Sequence, residues 1–211
     1  MNVTEGWTPK TVNLDVRDES RSRTLPIKVY LPESQLPAPV VLFSHGLGGS
    51  RENNPYLGNH WSGRGYVEVF IQHPGSDESV WRDAPLRQRM TAMREAANLE
   101  NTVLRLRDVP AVIDQLERWE TEAGSPLKGR MNLKAIGMSG HSFGAVTTQG
   151  VSGQRAARGG ASFTEARIKA ALPMSPSAPA LGDPKSAFGE VSIPWLLMTG
   201  TKDVAAVGNL S

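Results

Sequence analysis

The strongest constraint on this chain is a series of short, almost uninterrupted apolar blocks separated by helix-length segments. The blocks are Val40–Ser44, Tyr66–Ile71, Leu133–Met138, Ile168–Met174 and Ile193–Met198. Strands of a parallel sheet covered on both faces carry this pattern. Two earlier segments differ. Val12, Leu14 and Val16 alternate with polar residues in Thr11–Arg17, and Leu25, Ile27, Val29 and Leu31 do so in Leu25–Leu31. A period of two predicts half-buried strands, here an antiparallel edge with its turn in Asp18–Ser22. Arg51–Arg64, Leu99–Trp119 and Ser142–Gln154 predict helices. The second carries Val103, Leu106, Val109, Val112, Ile113 and Leu116 near one stripe. Pro110 predicts a kink or restart there, with Asp108 as a cap.

The order β-β-β-α-β-α-β-α-β-β predicts an α/β fold: a mostly parallel, doubly wound sheet with an antiparallel N-terminal edge. No linker divides it, so residues 1–211 form one expected domain. Residues 74–98, rich in Asp, Arg and Met, break the alternation. They are expected to be an insertion over the carboxyl ends of the strands, where loops carry function.

Composition narrows the chemistry. Of 211 residues, 23 are Lys or Arg and 21 are Asp or Glu, a net charge of +2 with no basic run. That balance argues against nucleic acid as a partner. The absence of cysteine removes disulfides, thiolate catalysis and Cys-ligated zinc. No apolar run approaches the roughly 20 residues of a membrane span. Met1–Lys10 lacks the apolar core of a leader, so the chain as written reads as cytoplasmic, or as a mature secreted or periplasmic domain.

Two motifs carry chemistry. Gly140-His141-Ser142-Phe143-Gly144 follows one apolar block directly and opens a helix of small residues. G-x-S-x-G in that setting predicts a sharp strand-to-helix turn that exposes the serine hydroxyl as a nucleophile, Ser142. The alternative is a glycine turn with a structural serine. Ser44-His45-Gly46-Leu47-Gly48-Gly49 follows the third strand. Acyl transfer needs two backbone N–H donors for a developing oxyanion, and Leu47 and Phe143 stand where they would supply them.

His45-Gly46-Leu47-Gly48, Gln72-His73-Pro74-Gly75-Ser76 and Gly140-His141-Ser142-Phe143-Gly144 together resemble the plasma-type platelet-activating-factor acetylhydrolases. They are also similar to the bacterial predicted dienelactone hydrolases, as is Leu106–Asp114. The resemblance spans roughly residues 25 to 205. It implies an α/β-hydrolase fold, a Ser-Asp-His triad with no metal or cofactor, and small-molecule carboxylic esters as substrates, short-chain or lipid-like.

The acid is expected after the last block, at Asp203, with Asp183 as the second choice. The acetylhydrolases place theirs after the preceding strand, but Ala171-Leu172-Pro173-Met174 offers no carboxylate. The triad order in this fold puts a histidine after the acid. His45, His60, His73 and His141 all precede Asp203. The expectation is a C-terminally truncated sequence that lacks a last strand, a last helix and the base, beyond residue 211. His73 and Trp81 are expected at the substrate, with Met90 and Met93 lining an acyl pocket or packing under the insertion. The rival expectations are a non-catalytic binding domain of the same fold, or a thioesterase, peptidase or polyester hydrolase.

Overall fold

The computed structural model describes residues 8–155, 162–177 and 183–203. Residues 1–7, part of the segment that bears on a leader, lie outside them. Six strands form one sheet: β1 (Lys10–Asp18), β2 (Arg23–Leu31), β3 (Ala38–Ser44), β4 (Val67–Ile71), β5 (Met131–His141) and β6 (Ile168–Met174). Their order is β1-β2-β4-β3-β5-β6. β1 pairs antiparallel with β2, and β2 with β4; β4, β3, β5 and β6 are mutually parallel. The antiparallel edge and the parallel remainder agree with the two periodicities in the sequence. The expected turn between β1 and β2 is a short 3-10 helix, Glu19–Arg21, capped by the Asp18 side chain, which accepts from Arg21 N–H at 3.2 Å.

The helices are α1 (Pro55–Ser62), α2 (Ser79–Arg82), α3 (Leu86–Ala96), α4 (Leu99–Thr121), α5 (Phe143–Val151) and α6 (Pro184–Phe188). The main core lies between the sheet and α4. Ile27, Val29, Leu42 and Val69 from the strands meet Val109, Val112, Ile113 and Leu116 from the helix. Each such side chain contributes about 1.5–3 kcal/mol when fully buried. The opposite face holds a small aromatic cluster beneath α1. Phe70 sits between Tyr30 and Phe43, at ring-centroid distances of 5.3 and 4.8 Å. A Cβ on Gly58 of α1 would stand 2.6 Å from the Tyr30 ring, so glycine lets the helix settle there.

Two expectations need correction. The helix does not restart at Pro110 and Asp108 is not its cap: α4 is continuous, and it is Asn98 that caps it by accepting from Asn101 N–H at 2.8 Å. Pro110 removes one donor from the interior. Separately, the carbonyls of Leu104 and Arg107 in the same stretch accept from the Arg21 guanidinium at 3.5 and 3.3 Å. Asp108 is buried and occupied elsewhere. The block Ile193–Met198 is also not a regular strand. It lies parallel to β6 through two isolated bridges, Ala171 to Trp195 and Met174 to Met198. Pro173 and Pro194 have no N–H to donate, which interrupts the ladder.

Glu68 is an exception within the sheet. It is fully buried, opposite Tyr30 and Val41, and neither carboxyl oxygen has a hydrogen-bond partner among the described residues. Burial pushes its carboxyl well above the ordinary value of 4.5. The folded state therefore keeps a proton that the unfolded chain loses above that value. Glu68 accordingly makes stability fall as pH rises above about 4.5. We expect Glu68→Met to raise stability by about 1–3 kcal/mol near neutral pH. The gain should shrink toward pH 4.5, as followed by urea unfolding across that range.

Candidate active site

β5 passes into α5 through Ser142, whose backbone has φ 56° and ψ −116°. A non-glycine residue held there costs on the order of 1–3 kcal/mol. The surroundings enforce it. Ser142 N–H donates to Met174 O on the neighbouring strand at 3.0 Å, and Ser142 O accepts from Ala145 N–H at 2.8 Å to begin the helix. Glycines allow the close approach on both sides. A Cβ on Gly140 would overlap the Gly144 carbonyl, and one on Gly144 would overlap the Ser44 carbonyl of β3. The Ser142 side chain is exposed and stands on the wall of a cleft of about 660 Å³.

Opposite it lies the turn after β3. Gly46 is so close to Ser142 that a Cβ there would stand 3.6 Å from the serine Cβ. The Gly46 carbonyl accepts from Gly49 N–H at 3.1 Å and from His45 Nδ1 at 2.6 Å. Those bonds fix the peptide that carries Leu47 N–H, which points away from its carbonyl because the bond is trans. Leu47 N–H has no acceptor among the described residues. Phe143 N–H is the first amide of α5, and such amides have no partner within the helix. Both residues line the cleft with Ser142.

The insertion, now α2 and α3, braces this turn. Gly48 N–H donates to Ser76 O at 2.9 Å, and Trp81 Nε1 donates to Gly48 O at 2.7 Å. Gly48 has φ +71°, and a Cβ there would meet Trp81 Nε1 at 2.8 Å and Met93 Sδ at 2.9 Å. Trp81 therefore supports the turn from behind; it is not part of the cleft lining. Met90 and Met93 of α3, and Ala97 just after it, form the apolar wall with Leu47 and Val146. Asn53, Asn54, Ser175, Ser177, Thr199 and Asp203 make the other side polar.

Asp203 reaches this cleft. Its Oδ2 accepts from the Ser175 hydroxyl at 2.7 Å, Gly200 N–H at 2.9 Å and the Thr199 hydroxyl at 3.0 Å. Those donors, the Ser175 hydroxyl first, hold its carboxyl below the usual value. Asp183 starts α6 and is not in the lining. His141 is exposed and lines the cleft. His60 is on the surface of α1, beside Arg64.

His73 is placed differently from expectation: it is fully buried and does not line the cleft. Its Nε2 accepts from the Ser44 hydroxyl at 3.0 Å, and its Nδ1–H donates to Asp108 Oδ2 at 2.9 Å. Its backbone N–H donates to His45 Nε2 at 3.1 Å, so the His45 proton sits on Nδ1, toward Gly46 O. Asp108 also accepts from Arg21 Nη1 at 2.8 Å, Arg23 Nε at 2.9 Å and Arg23 Nη2 at 3.1 Å. Ser44, His73 and Asp108 thus repeat the bonding order of a catalytic triad, but in the interior, where no substrate reaches. Both imidazoles are neutral. Burial lowers His45 well below 6.5 and His73 to about 4, with Arg105 adding to both. Asp108 is held at about 2 by His73 and Arg23 against its own burial.

The sequence reading missed this network, although it left a signal. Arg105 and Asp108 are spaced with Val109, Val112 and Leu116 on the stripe of α4 that faces the sheet. Charges on a buried stripe need partners. Among the described residues, no group of three or more His, Cys, Asp or Glu side chains is placed to hold a metal ion. Nor is any helix there long and apolar enough to cross a membrane.

No protein-family profile matches the chain, and no curated protein matches it. Its fold, by contrast, has solved counterparts. One is a proposed dienelactone hydrolase from Klebsiella pneumoniae subsp. pneumoniae MGH 78578, superposable with a TM-score of 0.66 at 14% identity. The match covers 96% of this chain and 77% of the other. With the mixed six-stranded sheet, that likeness makes the fold an α/β-hydrolase fold.

The His73 environment sets a pH dependence. Its folded value near 4 lies below the unfolded 6.5, so the unfolded chain binds the proton first as pH falls. Stability from this group is complete above about 6.5 and is lost as pH falls from there toward 4. We expect thermal unfolding midpoints to drop across that window in the parent protein, and more weakly in His73→Gln.

Proposed function

We propose that this protein is a serine hydrolase that cleaves small carboxylic esters through an acyl-enzyme on Ser142. The observation that carries this reading is the strained, glycine-flanked turn that exposes Ser142 on a cleft shared with Leu47, Phe143 and Asp203. Strain at a positive-φ serine is maintained where the hydroxyl must project from the end of a strand, and here three neighbouring segments maintain it.

In this reading Ser142 Oγ attacks the ester carbonyl as a histidine takes its proton. The carbonyl electrons become an oxyanion held by Leu47 and Phe143 N–H. Collapse of the tetrahedral species expels the alcohol, which leaves with that proton. Water repeats the sequence on the acyl-enzyme and regenerates Ser142. Asp203, an ionised carboxylate open to the cleft, orients the histidine. His45 and His73 cannot be that base, since the ring nitrogens of both are committed in the interior. The base in this scheme is a histidine presented to the cleft beside Asp203. No cofactor enters the scheme. The reaction assigned to the Klebsiella protein by its name, opening of a lactone, belongs to the same chemical class.

The two walls of the cleft suggest how an ester would lie. Its acyl chain would run along Met90, Met93 and Val146, with the polar end toward Asn53 and Asn54. With p-nitrophenyl acetate as substrate, Ser142→Ala should lower kcat by about 10³-fold or more, and Asp203→Asn by about 10²–10⁴-fold. Undiminished hydrolysis by Ser142→Ala would sink the proposal, and no turnover by the parent would favour a non-catalytic binding domain. Thioester, peptide and polyester substrates in the same assay separate the other acyl transfers. For the acyl wall, Met93→Trp should lower kcat/KM for octanoate esters about tenfold and change acetate esters little.

A further inference from the structure

Arg105 on α4 is the largest fully buried side chain in the molecule among the described residues. A buried guanidinium usually sits against a carboxylate. Here every hydrogen bond goes to a neutral oxygen. Nε donates to the Thr147 hydroxyl at 3.0 Å, Nη1 to the Ser76 hydroxyl at 2.9 Å, and Nη2 to the Ser44 hydroxyl at 3.0 Å and to the His45 carbonyl. Its plane also lies over the Phe143 ring, 4.6 Å from the centroid. The hydroxyls pass the bonding on. Thr147 donates to Phe143 O at 3.2 Å, Ser76 to His73 O at 3.2 Å, and Ser44 to His73 Nε2.

These contacts converge on two places. His45 carries the carbonyl one residue before Gly46, whose peptide aims Leu47 N–H. Phe143 and Thr147 form the first turn of α5, which aims Phe143 N–H. A guanidinium is a rigid planar fork, so one side chain fixes both at a set spacing. Asp108 and Asp77 favour its charge only from a distance, and a buried guanidinium without a direct carboxylate partner is a poor means of stabilising a fold, where an apolar residue of similar volume would serve better. Beneath a site where negative charge develops, the same charge is useful.

We propose that Arg105 is the positioning residue that holds the Leu47 and Phe143 amides in one geometry and places a positive charge behind them. This rests on the ester-hydrolase reading, and the experiment separates the two. Arg105→Met should lower kcat for p-nitrophenyl acetate by about 10–100-fold while KM stays within about threefold. Arg105→Lys keeps the charge without the fork and should recover less than half of that loss on a logarithmic scale. Thr147→Val, which removes the hydrogen bond to α5 but leaves the stacking on Phe143 and keeps the interior filled, should lower kcat by about 3–10-fold and so covers the case in which Arg105→Met does not fold. The second readout does not depend on turnover. In 15N-labelled protein, the amide resonances of Leu47 and Phe143 should shift in Arg105→Met and Thr147→Val, while those of Gly65 and Gly124, in remote turns, stay in place. Unmoved Leu47 and Phe143 resonances, or kcat within twofold of the parent in folded variants, would overturn the proposal. Absence of ester turnover by the parent defeats the hydrolase reading alone, because the resonances still decide whether Arg105 sets the two amides.

Discussion

The structure depends on a chain of buried polar contacts anchored on one face of α4. Asp108 accepts from His73, Arg21 and Arg23, and one turn earlier Arg105 donates to β3, to the segment after β4 and to α5. Each member is satisfied by the next, so the low polarity of the interior strengthens the network. The apolar stripe of α4 determines that the helix lies on the sheet. The polar stripe determines where it stops sliding. Hydrophobic contacts are tolerant of a shift, whereas hydrogen bonds at about 3 Å are not.

This registration has a local consequence at the carboxyl ends of the central strands. β3 and β5 end side by side, at Ser44 and Gly140 in register, and the turns that follow them meet across Gly46, Gly140 and Gly144. The strained conformation of Ser142 persists because strands on both sides, the helix start and the buried arginine leave no relaxed alternative. Strain of a few kcal/mol is small beside the burial of the sheet but large for one residue. It is confined to the point where a hydroxyl is turned toward the cleft.

The cleft divides into walls of different chemistry because different elements supply them. The apolar wall comes mainly from α3, whose Met93 stands against Gly48 beside Trp81 of α2, itself bonded to the Gly48 carbonyl. The polar wall comes from the loops after β3 and β6 and from Thr199 and Asp203. Gln149 ties one of those loops to α5 by bonding both the N–H and the carbonyl of Ser177. The hydroxyl of Ser175 and the carboxylate of Asp203 are joined in the same way, so β6 and the segment after it present their polar groups together.

Local pattern determined much of this. Continuous apolar blocks and one alternating pair of strands were enough to specify a mixed sheet, because the period of burial is set by which faces are covered. The two glycine motifs located the turns, because only glycine permits such contact between backbones. Tertiary structure alone decided the rest. Pro110 looked like a helix break, but packing of the α4 stripe against the sheet outweighed its local preference. Asp108 looked like a cap, and His73 like a group facing substrate. Both are interior because their partners, Arg21, Arg23 and Ser44, are between 29 and 87 residues away in sequence. A hydrogen bond over such a distance leaves no periodic trace in the chain. It becomes visible only when the fold brings donor and acceptor within reach.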